Sequence, residues 1–383
     1  MPKRQTSVSI AGEDWLINGE LTYPGREFKG WRIEGLLMNS RMASGIFDDE
    51  NPFTADLWKY PDTGKWDADR NTDELISRLP EYKAYGINCL PFNLQNCSPL
   101  GYYRRDPEHL EELRRRIHLD HPGAKDEDIW AGLLLEVHSQ PWISGAFNAD
   151  GSLKSAFMNR TERLIDAADE NGMVVNLGLF YQGQDERLTD TKAVKTAATN
   201  ACTWVLEKGY TNVIIEINNE VNVPTYEHPI LKEGRIHELI DLAKSVTRGG
   251  NRLLISTSWT RRSLPTPEAV ASSDYMLLHG NGLVDSNLVS KLVDDTRAVS
   301  TYKPMPILFN EDDNYNFDQP VNNFSAALSN HAGWGYFDPA TGAGGSPFYG
   351  DYENGYQCPP INWGINTPRK KAFFDFLRKV TGA

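Results

Sequence analysis

The chain has 383 residues, of which 40% are hydrophobic and 24% charged, and its formal net charge is −13. This composition predicts an ordinary globular core. The strong negative charge argues against a nucleic-acid partner and against an anionic membrane surface.

The N-terminal segment MPKRQTSVSIAGEDW lacks the apolar stretch of a secretory leader. No run in the sequence approaches the roughly 18 apolar residues that a membrane span needs. We therefore expect a cytoplasmic protein, or a secreted one if a leader precedes this sequence. The 4 cysteines are too few for a disulfide framework in a chain of this length.

Predicted strands and helices alternate almost throughout. Strands are expected at 32–41, 87–95, 173–182, 212–219, 252–259, 275–281, 306–310 and 334–338, where apolar and β-branched residues cluster. Amphipathic helices are expected at roughly 71–85, 153–171, 189–208, 230–248, 285–298, 318–331 and 367–380, with a short one at 266–273. Eight strand–helix units predict an α/β fold of the closed (β/α)8 TIM-barrel type.

Three regions fall outside this alternation. Residues 1–30 form a predicted N-terminal β-hairpin extension, 97–150 an insertion after strand two, and 339–366 a loop after strand eight. The insertion contains a charged helix near 106–117 and the apolar piece IWAGLLLEVH, which could line the site or cover another subunit, so a homo-oligomer stays open. Without repeats or low-complexity linkers, one domain over 1–383 is expected.

Two predicted strands end in carboxylates. VIIEINNEVN (213–222) ends near Glu220, and PILFNEDDN (306–314) ends near Glu311. A carboxylate at the mouth of a buried strand is costly unless it is paired or used. The two glutamates are 91 residues apart (311 − 220), or three βα units of about thirty residues, which puts them on strands four and seven. Glycoside hydrolysis needs such a pair, about 5–5.5 Å apart in retaining enzymes and about 6.5–9.5 Å in inverting ones.

The pattern Glu216-Ile217-x-Asn219-Glu220 resembles the strand-four signature of glycoside hydrolase clan A, in particular its cellulase-like family 5. The resemblance implies that Glu220 is the acid/base, that Asn219 holds a sugar 2-hydroxyl and that Glu311 is the nucleophile. It also matches His279 to the clan's histidine at the end of strand six, and Trp334 to the aromatic floor of the sugar site. The phrases RIEGLLMNSRM, SGIFDDENP, LLHGNG and ILFNEDDN resemble bacterial barrel glycosidases of unassigned specificity.

Three positions depart from the family pattern. The arginine expected on strand two is missing, and Arg41 at the end of strand one could replace it by keeping the nucleophile ionised. Tyr181 lies in the region of the strand-three histidine. Asn281 replaces the strand-six tyrosine two places after His279. These departures leave the sugar open.

Further side chains are candidates for substrate contacts. Trp142, Trp259 and Trp334 stand at predicted strand or loop ends and could cover the apolar face of a sugar or pack in the core. Asp312 could bind sugar hydroxyls or solvate a loop. Glu216 shares the strand parity of Glu220, and a structural pair with an arginine such as Arg41 is expected for it.

The sequence thus predicts a retaining hydrolase of β-linked glycosides that acts on a glycoside or oligosaccharide. A non-catalytic carbohydrate-binding barrel and a transglycosylase with the same two glutamates stay open. H-E-x-x-H, paired CxxC, G-x-S-x-G and GxGxxG motifs are all missing from the sequence, so neither a metal nor another cofactor is expected. Sugar identity, linkage, and endo or exo action are not readable.

Overall fold

The computed structural model describes residues 4–99, 107–129, 140–261, 263–339 and 352–383. Nearly all of the apolar piece IWAGLLLEVH and most of the Gly-rich part of the 339–366 loop therefore lie outside the described residues. The charged helix expected near 106–117 is present as α2, Pro107–Asp120.

The chain begins with two small antiparallel sheets. In the first, β1 (Val8–Ala11), β2 (Asp14–Ile17) and β3 (Glu20–Leu21) follow one another. The second pairs β4 (Glu27–Phe28) with β5 (Trp31–Arg32). The strand expected over 32–41 is therefore split. Gly35 at φ +86° turns the chain between β5 and the first parallel strand, and a side chain there would collide with Asp14.

The parallel strands are β6 (Met38–Ser40), β7 (Cys89–Asn93), β8 (Val174–Phe180), β9 (Val213–Asn218), β10 (Leu254–Ser256), β11 (Ser258–Trp259), β12 (Met276–His279), β13 (Ile307–Glu311) and β14 (Trp334–Tyr336). They form a six-stranded sheet in the order β10-β9-β8-β7-β6-β14 and a three-stranded sheet in the order β11-β12-β13. Thr257 alone separates β10 from β11, and the parallel bridges Leu308–Gly333 and Asp312–Tyr336 join β13 to the β14 segment. The small sheet is thus joined to the large one at both of its edges.

The other described helices are α1 (Ala68–Ala84), α3 (Asp126–Ile129), α4 (Ser155–Glu170), α5 (Thr191–Glu207), α6 (Ile236–Ser245), α7 (Pro267–Ser272), α8 (Ser286–Arg297), α9 (Asn323–Ser329) and α10 (Pro368–Thr381). Each helix predicted between strands is confirmed, with shifted ends. Several begin at a side-chain cap: Asp67 accepts from the backbone N–H of Arg70, and Asp190 from that of Ala193.

The parallel strands are buried on both faces, as their near-continuous apolar runs predict. At their amino ends, Trp15 of β2 belongs to one buried apolar cluster with Leu37, Cys89, Val174, Ile214, Tyr275, Leu277 and Leu308. Its ring meets that of Tyr275 edge-on, with centroids 5.2 Å apart. The N-terminal sheet therefore covers this edge of the parallel strands with apolar side chains. No described helix combines the length and apolar composition needed to cross a lipid bilayer.

Candidate active site

The charged candidates gather at the carboxyl edge of the parallel strands. Arg41 follows β6, Asn219 and Glu220 follow β9, His279 ends β12 and Glu311 ends β13. Because the strands run parallel, their carboxyl ends open on one side of the sheet. These five residues and Asn281, which come from four separate segments of the chain, therefore become neighbours.

A cavity of about 430 Å³ opens at this edge. It is lined by Glu220, Thr260, Arg261, Asn281, Glu311, Asp313, Phe337 and Pro339. The cavity therefore contains both glutamates singled out from the sequence.

The two glutamates and His279 are close enough to act together. One oxygen of each carboxylate and one ring nitrogen of His279 all lie within 4.8 Å of one another. An oxygen of Glu220 and one of Glu311 are thus at most 4.8 Å apart. The two carboxyl groups of retaining glycosidases are about 5–5.5 Å apart, and those of inverting ones about 6.5–9.5 Å. The same three side chains could hold a metal ion, although Arg41 already engages one oxygen of Glu311.

Glu311 is the more tightly enclosed carboxylate, with only 2% of its side chain exposed. Its Oε2 lies 2.8 Å from Nε of Arg41, and its Oε1 accepts a hydrogen bond of 2.6 Å from Asn281 Nδ2. Burial raises the pKa of Glu311, while Arg41, His279 and Asn281 oppose that rise by favouring the ionised form. The net shift of the Glu311 pKa is upward, and these three neighbours limit it.

Glu220 is more accessible, with 16% of its side chain exposed. Its Oε1 lies 3.0 Å from Nδ1 of His279. Its backbone is left-handed, at φ +51°, and its N–H donates to Ser258 Oγ at 2.8 Å. A non-glycine residue held in that region costs on the order of 1–3 kcal/mol. The fold therefore keeps Glu220 in a strained turn at the cavity wall.

Asn219 is buried beside the pair. Its Oδ1 accepts a hydrogen bond of 2.7 Å from Arg41 Nη2, and its carbonyl accepts one of 2.5 Å from the Tyr226 hydroxyl. Arg41 therefore bridges Glu311 and Asn219.

His279 is fully buried between the two carboxylates. Its Nδ1 lies 3.0 Å from Glu220 and 3.6 Å from Glu311. Burial lowers the pKa of His279, but the charges of Glu311 and Glu220 outweigh burial and raise it. In the described part of the chain, Nε2 of His279 has no hydrogen-bond partner. The imidazole therefore interacts with both glutamates through a single nitrogen.

Glu216 lies on β9, four residues before Glu220, and is also buried. Its Oε2 accepts from Asn310 Nδ2 at 3.2 Å. Arg41, the kind of partner expected for it, directs Nε to Glu311.

The structure does not bring the three tryptophans to the cavity wall. Trp334 is buried, stacks on Phe324 and donates its indole N–H to Asp312 at 2.9 Å. Trp259 lies in the main core. Trp142 packs edge-on against Trp58 in a separate apolar cluster.

Asp312 and Tyr181 also lie away from the cavity wall. Asp312 accepts from Asn323 as well as Trp334, and burial raises its pKa to about 7. Tyr181 is buried with Ala43 and Cys97. Burial is also the main cause that raises the pKa of Tyr181, followed by the charges of Cys97 and Glu311. Tyr181 is therefore near the glutamates but covered.

Several wall residues were not among the candidates: Thr260, Arg261, Phe337 and Pro339. Thr260 and Arg261 follow the predicted strand 252–259, and Pro339 follows the predicted strand 334–338. Phe337 lies within that predicted strand but follows β14 in the structure. A search of every position just beyond a predicted strand end would have found Thr260, Arg261 and Pro339.

No family model matches the chain, and no curated protein matches it. Solved structures do match its fold. The endo-1,4-β-mannanase from Rhizomucor miehei superimposes with a TM-score of 0.55 at 11% identity, covering 98% of this chain and 99% of that one. The glycoside hydrolase family 5 mannosidase from the same organism gives a TM-score of 0.52 at 12% identity, covering 99% and 98%.

A third match is longer than this chain. The exo-β-1,4-mannosidase from Opitutaceae bacterium strain TAV5 is 13% identical with a TM-score of 0.49, and the match covers 94% of this chain but only 62% of that one. At these identities the first two similarities establish the fold. The chain is an α/β protein whose fold is shared with family 5 glycoside hydrolases, in agreement with the resemblance in its sequence.

Proposed function

We propose that the chain is a retaining glycoside hydrolase that cleaves β-linked glycosides. The observation that carries this proposal is the pair Glu220 and Glu311, within 4.8 Å of one another in one cavity and surrounded by different partners. A gap this short suits direct attack by one carboxylate and leaves little room for the water that an inverting enzyme places there.

The proposal includes one closed (β/α)8 barrel that spans the chain as a single catalytic domain. Support comes from the edges of the two parallel sheets, which meet at Thr257 and at the β13–β14 bridges. On this interpretation 1–30 is an N-terminal extension, while 97–150 and 339–366 follow strands two and eight at the active-site edge.

Glu311 is the nucleophile in this proposal. Its two oxygens face Arg41 and Asn281, which favour the carboxylate over the acid and so keep a lone pair available for attack. Attack on the anomeric carbon forms a covalent glycosyl-enzyme bond as the bond to the leaving oxygen breaks.

Glu220 is the acid/base. Its partly exposed carboxyl gives up a proton to the leaving oxygen, and the resulting carboxylate then takes a proton from the water that releases the sugar. His279 contacts both glutamates and orients Glu220 through Nδ1. Asn219, held by Arg41, is placed to contact the 2-hydroxyl.

The substrate proposal stays at the level of a β-linked glycoside or oligosaccharide. Two neighbours by fold are described as a mannanase and a mannosidase. Hydrolysis and transglycosylation share the covalent intermediate and differ only in whether water or a sugar hydroxyl accepts the glycosyl group.

The test is a change of Glu311 to Ala, assayed on 4-nitrophenyl β-glycosides with and without sodium azide. We expect a loss of kcat on the order of 10⁴-fold or more, because the covalent step has no nucleophile. Azide should restore turnover and yield an α-glycosyl azide. Glu238→Ala, which removes a partly exposed glutamate of α6 that pairs with Arg235, serves as the control.

Proton NMR of the first-formed product provides a second readout. A β-configured sugar from a β-glycoside agrees with double displacement. An α-configured product, or full activity in Glu311→Ala, would overturn the proposed mechanism.

A further inference from the structure

One charged residue of the cavity wall has no role in the proposed chemistry. Arg261 follows β11 and shares the cavity with Glu220, Glu311 and Asp313. Its Nη1 donates to the carbonyl of Asn281 at 2.9 Å. A guanidinium beside catalytic carboxylates needs an explanation, because it is always charged and presents five donors.

The guanidinium lies against a glycine. A side chain at Gly282 would put its Cβ 1.7 Å from Arg261 Nη1, so the guanidinium would have to move away from its present position. Gly282 also has φ +65°, which favours glycine independently. The segment Asn281-Gly282 thus contacts Arg261 through one guanidinium N–H. The other N–H groups of the guanidinium are open to another partner.

The carboxylates of the wall already have partners of their own. Glu311 faces Arg41 and Asn281, and Glu220 faces His279. Asp313 accepts from the backbone N–H of Gly282 at 2.6 Å. Among the residues that the structure describes, no carboxylate forms an ion pair with Arg261. Arg261 is therefore an exposed cation of the cavity wall that no described carboxylate neutralises, and an anionic ligand could reach it.

We propose that Arg261 binds an anionic substituent of the sugar, so that the substrate class is an acidic glycoside. The shared chemistry is a carboxylate, phosphate or sulfate that accepts two parallel N–H bonds from the guanidinium. The three acidic side chains of the wall would repel a negative charge elsewhere in the cavity. The anion is therefore a peripheral substituent directed at Arg261, away from the anomeric carbon. This inference rests on the proposed function for its catalytic part and on the cavity alone for its binding part.

The experiment compares matched neutral and acidic glycosides. The pairs are 4-nitrophenyl β-D-glucoside with the β-D-glucuronide, and the β-D-galactoside with the β-D-galacturonide. The 6-phosphate and 6-sulfate of each neutral sugar separate phosphate and sulfate from carboxylate recognition. The proteins are the wild type, Arg261→Lys, Arg261→Met and the surface control Arg235→Met.

We expect the wild type to prefer an acidic member in kcat/KM by about 10- to 100-fold, the range that a charge-assisted hydrogen bond gives. Arg261→Met should abolish that preference, because it removes the cation that distinguishes the acidic member from the neutral one. Arg261→Lys should retain part of it, since it keeps the charge but loses the fork. Arg235→Met should behave as the wild type.

A binding measurement that needs no turnover keeps the inference separate from the catalytic proposal. Saturation-transfer NMR with the methyl glycosides of the same pairs should show the acidic member bound more tightly, less so at high salt. If acidic sugars bind through Arg261 but none is cleaved, the proposed function fails and this inference stands. If only neutral glycosides are bound or cleaved, or if Arg261→Met weakens both members equally through Asn281, the inference is overturned.

Discussion

At their carboxyl ends the parallel strands bury Arg41, His279 and Glu311, whereas at their amino ends they bury Trp15, Tyr275 and aliphatic side chains. The apolar cluster around Trp15 and Tyr275 stabilises the fold through the burial of its side chains. The charged end must offset the desolvation of several charges by pairing them. The same strands therefore serve stability at one edge and chemistry at the other, and substitutions at the two edges should separate these properties.

The largest expected effect is on activity at the charged edge. Glu220→Gln removes the acid/base but keeps the shape of the side chain, so kcat on glycosides with poor leaving groups should fall about 10²- to 10⁴-fold. The free energy of unfolding should change by less than about 1 kcal/mol. Steady-state kinetics measures the change in kcat, and urea unfolding measures the change in the free energy of unfolding. A large fall in the free energy of unfolding would contradict the separation of activity and stability between the two edges.

The next effect is on stability at the apolar edge. Trp15→Ala leaves a cavity beneath Tyr275 and should lower the free energy of unfolding by about 3–5 kcal/mol. Activity per folded molecule should stay the same, because Trp15 is at the opposite edge from the cavity. Trp204→Ala, at a half-buried site on α5, is the matched control and should cost clearly less. A large fall in kcat for fully folded Trp15→Ala would show that the two edges are linked.

The smallest effect is a shift in pH dependence. Arg41 favours the ionised form of Glu311, so Arg41→Met should raise the pKa of Glu311 further. A nucleophile must be ionised, and the acid limb of kcat/KM should therefore move to higher pH. Arg41→Lys should move it less. Asn281→Ala removes one neutral donor and should shift the limb in the same direction by a smaller amount. A shift to lower pH would contradict the role assigned to Arg41.

The contrast between the edges also explains how much could be predicted from the sequence. Apolar runs and helical periodicity predicted the parallel strands β7 to β14 and the helices between them. The positions of Glu220 and Glu311 at strand ends predicted that they lie together. The resemblance to family 5 and the departures from it singled out Arg41, His279 and Asn281, which the structure brings to the same edge. These predictions depend on local pattern and on the shared direction of parallel strands, which the sequence contains.

The side chains that missed the cavity show what local pattern leaves out. Trp334 and Tyr336 alternate with Gly335 and pack outward on Phe373 of α10, so the aromatic side of β14 faces the helices. Asp312 follows Glu311 and points to the other face, where Trp334 meets it. Strand parity alone would have placed Asp312 correctly once Glu311 was set inward. The face of β14 that packs against the helices is set by contacts with residues far away in the sequence, such as Phe373.

Asn219 and Glu220 are an exception to this alternation. They are adjacent, yet one contacts Arg41 and the other His279 at the same edge. The left-handed backbone of Glu220 ends the alternation of side chains between the two faces of the strand. A single-sequence analysis has no signal for this, because glutamate does not favour that conformation.

The left-handed backbone of Glu220 has a consequence for laboratory evolution. Glycine at position 220 would relieve on the order of 1 kcal/mol of backbone strain and would also remove a partly exposed carboxyl group. A library selected only for thermostability would therefore be drawn toward the loss of this carboxylate. Stabilising campaigns on this scaffold should fix codon 220 or screen for turnover in every round.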